Sequence, residues 1–356
     1  MRPTSSVTRF AEMAKLSAAW VRLASNDRLR RSSQAVSVIG TQVFVFGGEL
    51  LPREPVDNQL DVVELQSGKG ITFFTTDSAS VKTISTDTEA PSPRVGAPST
   101  ALKDAFYLFS GRGGIAMEPV EESGSIWRYN PSQSLWDQLT PTDATAPHPA
   151  GRSYHCTASD GNKTIYIHAG CPEKGRLADL WSFNIESKTW KELAAAPPPA
   201  RGGASIAFSG GKLYRINGFD GTSEQGGSLD VYDPASAAWS TITYKPDGVK
   251  GPEARSVSAL VAVEVDGKPH LVTLFGERDP SSLGHAGAGK MLSDVWAFDI
   301  VAGTWDKVFF EGDAPPPRGW FDADVVVDGS KQAVVVHGGL AEDNSRLGDI
   351  WRLDFV

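Results

Sequence analysis

An all-β fold closed into a ring of six like units is predicted by three observations in this sequence. A pattern of residues recurs along the chain at intervals of roughly 50 to 60 positions. Short apolar runs alternate with turn residues, 36 Gly and 23 Pro in 356 residues, so many short elements and few long helices are expected. The last unit runs out of chain before its final strand, and an N-terminal run of matching pattern is available to complete it.

Each unit opens with arginine followed by small or aromatic residues: Arg31-Ser32-Ser33, Arg94-Val95-Gly96, Arg152-Ser153-Tyr154, Arg201-Gly202-Gly203, Arg255-Ser256-Val257 and Arg318-Gly319-Trp320. These mark the start of a first, innermost strand. A second, β-prone run ends in glycine: 43–46 before Gly47-Gly48, 106–109 before Gly111, 165–168 before Gly170, 213–216 before Gly218, 271–275 before Gly276 and 333–336 before Gly338-Gly339. A strand that runs into glycine can turn where a Cβ would clash. Third strands follow at 60–65, 125–129, 179–183, 228–232, 294–298 and 349–353, several with an Asp-Leu-Trp or Asp-Val-Trp spelling. Fourth strands begin at Trp136, Trp190, Trp239 and Trp305, with Phe73-Phe74 standing in for the first unit. The sixth unit takes its fourth strand from Trp20-Val21-Arg22-Leu23, which pairs the two ends of the chain and leaves no long sheet edge open. Pro-rich joints at 197–199 and 315–317 stiffen the crossover into the next unit. Residues 1–16 read as an N-terminal extension, a short helix packed on the body, and 17–356 as one domain.

The glycine doublet, the aromatic-Asp strand after it and the spaced tryptophan resemble the kelch repeat over essentially residues 17–356. The resemblance implies a six-bladed kelch-type β-propeller, in which each blade buries its faces against its neighbours.

Three constellations are candidates for chemistry at one mouth of the axial channel. The repeat places Arg31, Arg94, Arg152, Arg201, Arg255 and Arg318 at equivalent heights around the axis, where several guanidinium groups facing one cavity would hold a sulfate, phosphate or carboxylate. The same arginines can instead brace adjacent blades by bonding loop carbonyls. The long loop of the fifth unit, 276–289, contains Glu277, Asp279 and His285, one imidazole with two carboxylates, a donor set suited to non-haem Fe(II). The alternative is a turn capped by Asp279 before Pro280, with Glu277 and His285 in loop hydrogen bonds. Trp320 and Tyr154 can wall a small-molecule pocket or pack between blades.

The segments Gly47-Gly48-Glu49-Leu50-Leu51-Pro52-Arg53, Arg94-Val95-Gly96, Arg152-Ser153-Tyr154-His155, Arg201-Gly202-Gly203, Arg318-Gly319-Trp320 and the Gly-His-Ala-Gly-Ala-Gly loop resemble the plant nitrile-specifier, epithiospecifier and thiocyanate-forming proteins, and equally their broader kelch relatives. That resemblance implies Fe(II)-assisted breakdown of glucosinolate aglucones, with Arg94 and Arg152 on the substrate's sulfate and an iron loop of Glu-x3-Asp-x3-His. Glu277 and His285 keep that spacing, Ser281 stands at the middle position and Asp279 lies two residues earlier.

The net charge of −9 disfavours nucleic acid and anionic membrane as partners. No run approaches the ~18 apolar residues of a membrane span, and no signal-peptide pattern opens the chain. Two cysteines, Cys156 and Cys171, give no disulfide framework, which fits a reducing, cytoplasmic location. Gly-x-Ser-x-Gly, Gly-x4-Gly-Lys-Ser and His-Glu-x2-His are absent from the sequence. The expected function is therefore a small-molecule enzyme of lyase or isomerase type acting on an anionic or polyoxygenated substrate, with Fe(II) as the cofactor the resemblance implies. In it Arg94 and Arg152 hold the anion, Arg31, Tyr154, Arg201, Arg255 and Arg318 line the site, and Trp320 shields the reacting group from water. The alternative is a kelch scaffold whose loops recognise a protein partner.

Overall fold

A computed structural model describes residues 16–65, 80–85 and 89–356. The expected opening helix and Phe73-Phe74 lie outside the described residues. What is described is almost wholly antiparallel sheet, and the main sheets follow chain order. The first sheet holds Ser32–Ile39, Gln42–Leu51, Leu60–Glu64 and Val81–Ile84, so Val81–Ile84 takes the fourth-strand place expected for Phe73-Phe74. The second holds Ser99–Leu102, Ala105–Leu108, Ile126–Asn130 and Leu135–Leu139. The third holds Cys156–Ser159, Thr164–His168, Leu180–Asn184 and Thr189–Leu193. The fourth holds Ser205–Ser209, Lys212–Ile216, Ser228–Asp233 and Ala238–Thr243. The fifth holds Ala259–Val265, Lys268–Leu274, Val295–Asp299 and Thr304–Lys307. The sixth joins Asp322–Asp328, Lys331–His337 and Asp349–Phe355 to Ala18–Ser25, which pairs antiparallel with Asp349–Phe355 and sets Trp20 opposite Leu353.

Strand alternation explains why the sheets stack in a ring. In the run Val43-Phe44-Val45-Phe46 successive side chains point to opposite faces, and here both faces are buried. Val43 and Val45 belong to a cluster with Val335 and Ile350 of the sixth sheet. Phe44 and Phe46 turn the other way, Phe44 lying 6.0 Å from Phe106 and Phe46 5.2 Å from Trp136 of the second sheet. Fully burying each such side chain is worth about 1.5–3 kcal/mol. The fourth-strand tryptophans also tie neighbours together: Trp190 Nε1 donates to Gly124 O and Trp239 Nε1 to Ala194 O, each at 2.7 Å.

Around the axis the main chain itself forms a closed circuit. Ser33 N donates to Trp320 O, Trp320 N to Val257 O, Val257 N to Gly203 O, Gly203 N to Tyr154 O, Tyr154 N to Gly96 O and Gly96 N to Ser33 O, at 2.7–3.1 Å. Each donor is the third residue of an arginine-led unit, and each has positive φ, from 45° at Val257 to 61° at Gly96. The circuit returns to its starting residue after one contribution from each unit. The glycine that ends each second strand is required by close approach: a Cβ on Gly170 would lie 2.7 Å from His155 Cβ, and one on Gly339 2.7 Å from Phe321 Cβ.

Candidate ligand pocket at the loop face

The six leading arginines are buried in ion pairs and carbonyl bonds rather than turned toward a cavity. Arg152 donates to Asp179 Oδ1 and Oδ2 at 2.7 and 2.9 Å and to Ala169 O and Ala150 O. Arg255 holds Asp294 at 2.6 and 3.0 Å with Phe275 O, and Arg318 holds Asp349 at 2.7 and 2.9 Å with Gly338 O. Trp181, Trp296 and Trp351 donate their indole N–H to those same aspartates. This explains the Asp-x-Trp spelling: the aspartate receives the arginine of its own unit and the indole two residues on.

The other three units reach the same end by different routes. In the second unit Glu122 replaces the aspartate and takes Arg94 at 2.9 and 3.0 Å together with Trp127 Nε1. In the first and fourth the acid moves to the tryptophan position. Asp61 pairs with Arg31 at 2.5 Å and Asp230 with Arg215 at 2.6 Å. Arg201 is left with carbonyls, Asn217 O and Pro199 O, and burial together with the nearby Arg215 charge lowers it to about 10. The expectation that Arg31, Arg94, Arg152, Arg201, Arg255 and Arg318 present their guanidinium groups to a ligand is thus corrected. Their fork geometry is spent on bracing the loops.

A cavity of about 180 Å³ opens on the loop side of the axial circuit, lined among others by Glu49, Arg112, Tyr154, Cys171 and Arg176. Apart from Tyr154, which belongs to the axial circuit, these residues come from the segments after the glycine turns. Arg112 lies in the two-residue strand Arg112–Gly113, paired to Arg94–Val95, and its donors go to Ser153 Oγ, Met117 O and Pro172 O rather than to a carboxylate. Arg176 donates to Gly175 O, stands 5.9 Å from the Phe219 ring, and leaves Nε buried without a partner. Glu49 is buried, accepts from Arg53 N at 2.7 Å and Arg346 at 3.3 Å, and is raised above the usual carboxylate range by burial. Two guanidinium groups without acidic partners therefore face one recess in an acidic protein. Sequence reasoning missed both, because they lie outside the repeat pattern; for Arg112 its place directly after the turn glycine Gly111 was the available signal, and Arg176, six residues after Gly170, had none.

Tyr154 lines this recess, and Trp320 meets it from the side of the axial channel. Their rings meet edge to face with centroids 5.1 Å apart. Trp320 Nε1 donates to Glu277 Oε2 at 3.2 Å, and Gly289 N donates to Glu277 Oε1 at 2.6 Å. Burial raises the Glu277 carboxyl, and Glu224 adds to the shift. Glu277 is 4% exposed, whereas the Asp279 side chain is 77% exposed beside Arg278. One acid points in and the other out. The His285 backbone lies in the single turn Gly284–Ala286, and its side chain is outside the described residues. Among the described residues no three His, Cys, Asp or Glu side chains converge on a metal position, and both Glu277 oxygens already accept N–H bonds. Of the three expected ligands, the two described carboxylates, Glu277 and Asp279, do not converge on one position. Cys156 and Cys171 are free thiols, and among the described residues no helix is long and apolar enough to cross a membrane.

The model of the KLHDC2/KLHL20/DRC7 Kelch-repeats domain matches residues 32–276. The chain belongs to the kelch-repeat family. Over 350 residues it is 28% identical to N-(sulfonatooxy)prop-2-enimidothioate sulfolyase of Thlaspi arvense, covering 90% of this chain and 91% of that one. Over 257 residues it is 29% identical to human host cell factor 1, covering 66% of this chain and only 12% of that protein. The structure of YjhT superposes with a TM-score of 0.66 at 15% identity, over 90% of this chain and 94% of that one, which shows the shared propeller fold. This kelch propeller is accordingly similar along nearly its whole length to one sulfolyase.

Proposed function

We propose that this kelch protein is a lyase or isomerase acting on a small anionic molecule, bound in the recess between Arg112 and Arg176. The observation that supports the reading is the pair of guanidinium groups without carboxylate partners in one cavity, in a chain similar along nearly its whole length to a sulfolyase. A sulfate ester suits them. Its charge is delocalised over oxygens that accept forked N–H donors, and the unpartnered Arg176 Nε gains the acceptor it lacks. Arg112 is held by two carbonyls and a hydroxyl, so it meets the anion without reorganising. Departure of a sulfate from such a substrate builds negative charge on the leaving group, which the two cationic side chains lining the recess would stabilise. Tyr154, backed by the Trp320 ring, forms an aromatic base that keeps water from the reacting carbon. Glu277, buried and raised, is the group next to that base able to hold or release a proton. The domain is taken as 17–356.

Calorimetric titration with methyl sulfate tests this reading. Binding by the wild type, weakened at least about tenfold in Arg112→Ala and in Arg176→Ala, is expected from loss of one charge-assisted contact. Unchanged binding in both variants, or none in the wild type, overturns it. A second reading, a scaffold for a protein partner, is favoured by Leu50, Leu51 and Ile115, exposed on the loops that border the same recess. Partner capture that Leu51→Asp and Ile115→Asp abolish, with no anion binding, would establish it.

A further inference from the structure

The six positions of the axial circuit are not occupied alike. Units two and four carry Gly96 and Gly203, for which positive φ is unstrained, and unit one carries the small Ser33. Units three and six carry Tyr154 at φ 51° and Trp320 at φ 58°, where a bulky side chain is costly. Three units apart in a circuit of six, these two residues stand on opposite sides of the axis, and their rings reach across to meet at 5.1 Å. Room for them is made next door. A Cβ on Gly96 would lie 3.0 Å from Tyr154 Cδ1 and Cε1, so the tyrosine ring lies against that glycine. Trp320 is fixed from the other side through Glu277 and Gly289.

Beyond the aromatic pair lies a second cavity, an axial channel of about 290 Å³ walled by the first strands of the six sheets, with Asp322 and Asp324 on one side. Tyr154 borders both cavities. We infer that Tyr154 and Trp320 are a transverse partition that separates the loop-side recess from the axial channel and so sets the length of ligand the recess accepts. Unit five carries the β-branched Val257 at φ 45°, so strain is shared with it, and what sets units three and six apart is the pair of rings that meet across the axis. This inference rests on the recess being the ligand site.

Linear alkyl sulfates from methyl to octyl measure the depth directly. While the tail finds apolar wall, affinity rises about fourfold per methylene, the equivalent of ~0.8 kcal/mol; it stops rising where the tail meets the rings. In Tyr154→Gly/Trp320→Gly the rise should continue into the channel, increasing the octyl-to-butyl affinity ratio at least about tenfold. Tyr154→Phe/Trp320→Phe, which keeps both rings, should restore the wild-type break point. The same break point in the glycine variant overturns the partition. If no alkyl sulfate binds the wild type, the proposed anion site fails while the partition is decided separately by the crystal structure of the glycine variant. One continuous cavity with the six main-chain bonds retained is expected, and two cavities still separated would refute it.

Discussion

Arg94→Ala and Glu122→Ala should destabilise the protein by similar amounts, and the double replacement by little more than either alone. Arg94 is 1% exposed; besides Glu122 it donates to Ser110 O, Ser92 O and Ser92 Oγ at 2.9–3.0 Å. Glu122 in turn accepts Trp127 Nε1 at 2.7 Å. Removing the acid leaves a buried guanidinium and a buried indole N–H short of acceptors. Breaking a buried pair costs about 3–5 kcal/mol, and the 16% exposure of the Glu122 side chain, which lets water reach the site, points to about 3. Removing the arginine instead uncovers the carbonyls and the aliphatic stem's packing, for about 3–4 kcal/mol. Because both variants delete the same contacts, a coupling of about 2–3 kcal/mol is expected in the double-mutant cycle. Urea unfolding followed by tryptophan fluorescence reads all four proteins. Arg94→Ala within about 0.5 kcal/mol of wild type, with Glu122→Ala equally silent, would show that the guanidinium is not a brace.

Burial pushes Asp322 up to about 8 from its ordinary 3.8, while its carboxylate accepts Val36 N at 2.7 Å. A raised folded value means that its stabilising contribution is full below about pH 4 and is lost as pH rises through 8, so Asp322→Asn, which keeps the acceptor, should lose less stability than wild type across that interval in urea titrations; parallel losses would contradict it. His155 lies 5.8 Å from Phe109, and burial lowers it to about 3. Its contribution is present above about pH 6.5 and fades as pH falls toward 3, so His155→Phe should shift the acid-unfolding midpoint, followed by circular dichroism, to lower pH. Gly170→Ala, at φ 99° with its new Cβ 2.7 Å from His155 Cβ, should cost about 3 kcal/mol by thermal or urea unfolding.

The architecture was readable because a repeat states its geometry six times. The glycine turns, the tryptophan strands and the completion of the last sheet by Ala18–Ser25 each had a residue pattern tied to one steric or hydrogen-bonding need. The first sheet's outer strand was not readable, since Val81–Ile84 lacks the tryptophan that marks four others. The arginines show the limit at the site. Spacing fixed their height along the axis but not the direction of their side chains, and that direction follows from aspartates some 27 to 39 residues further on, as in Arg152 with Asp179 and Arg255 with Asp294. Where the acid shifts by two residues, at Asp61 and Asp230, the pattern hides the pairing altogether. Arg112 and Arg176 belong to no repeat position, so periodicity had nothing to say about them.

Ser17 and Val356, joined by a hydrogen bond beside the strand that completes the sixth sheet, are 339 residues apart. At a synthesis rate of about 5–20 residues per second, the first strand therefore waits roughly 20 to 70 seconds for its partner. Five sheets can stack as they emerge from the ribosome. The sixth cannot exist until Asp349–Phe355 has been made, so Trp20 spends that interval away from Phe275, on which it comes to rest. Closure of the ring thus waits on two strands made far apart in time, and the growing chain carries Trp20 without its final packing partner throughout that interval.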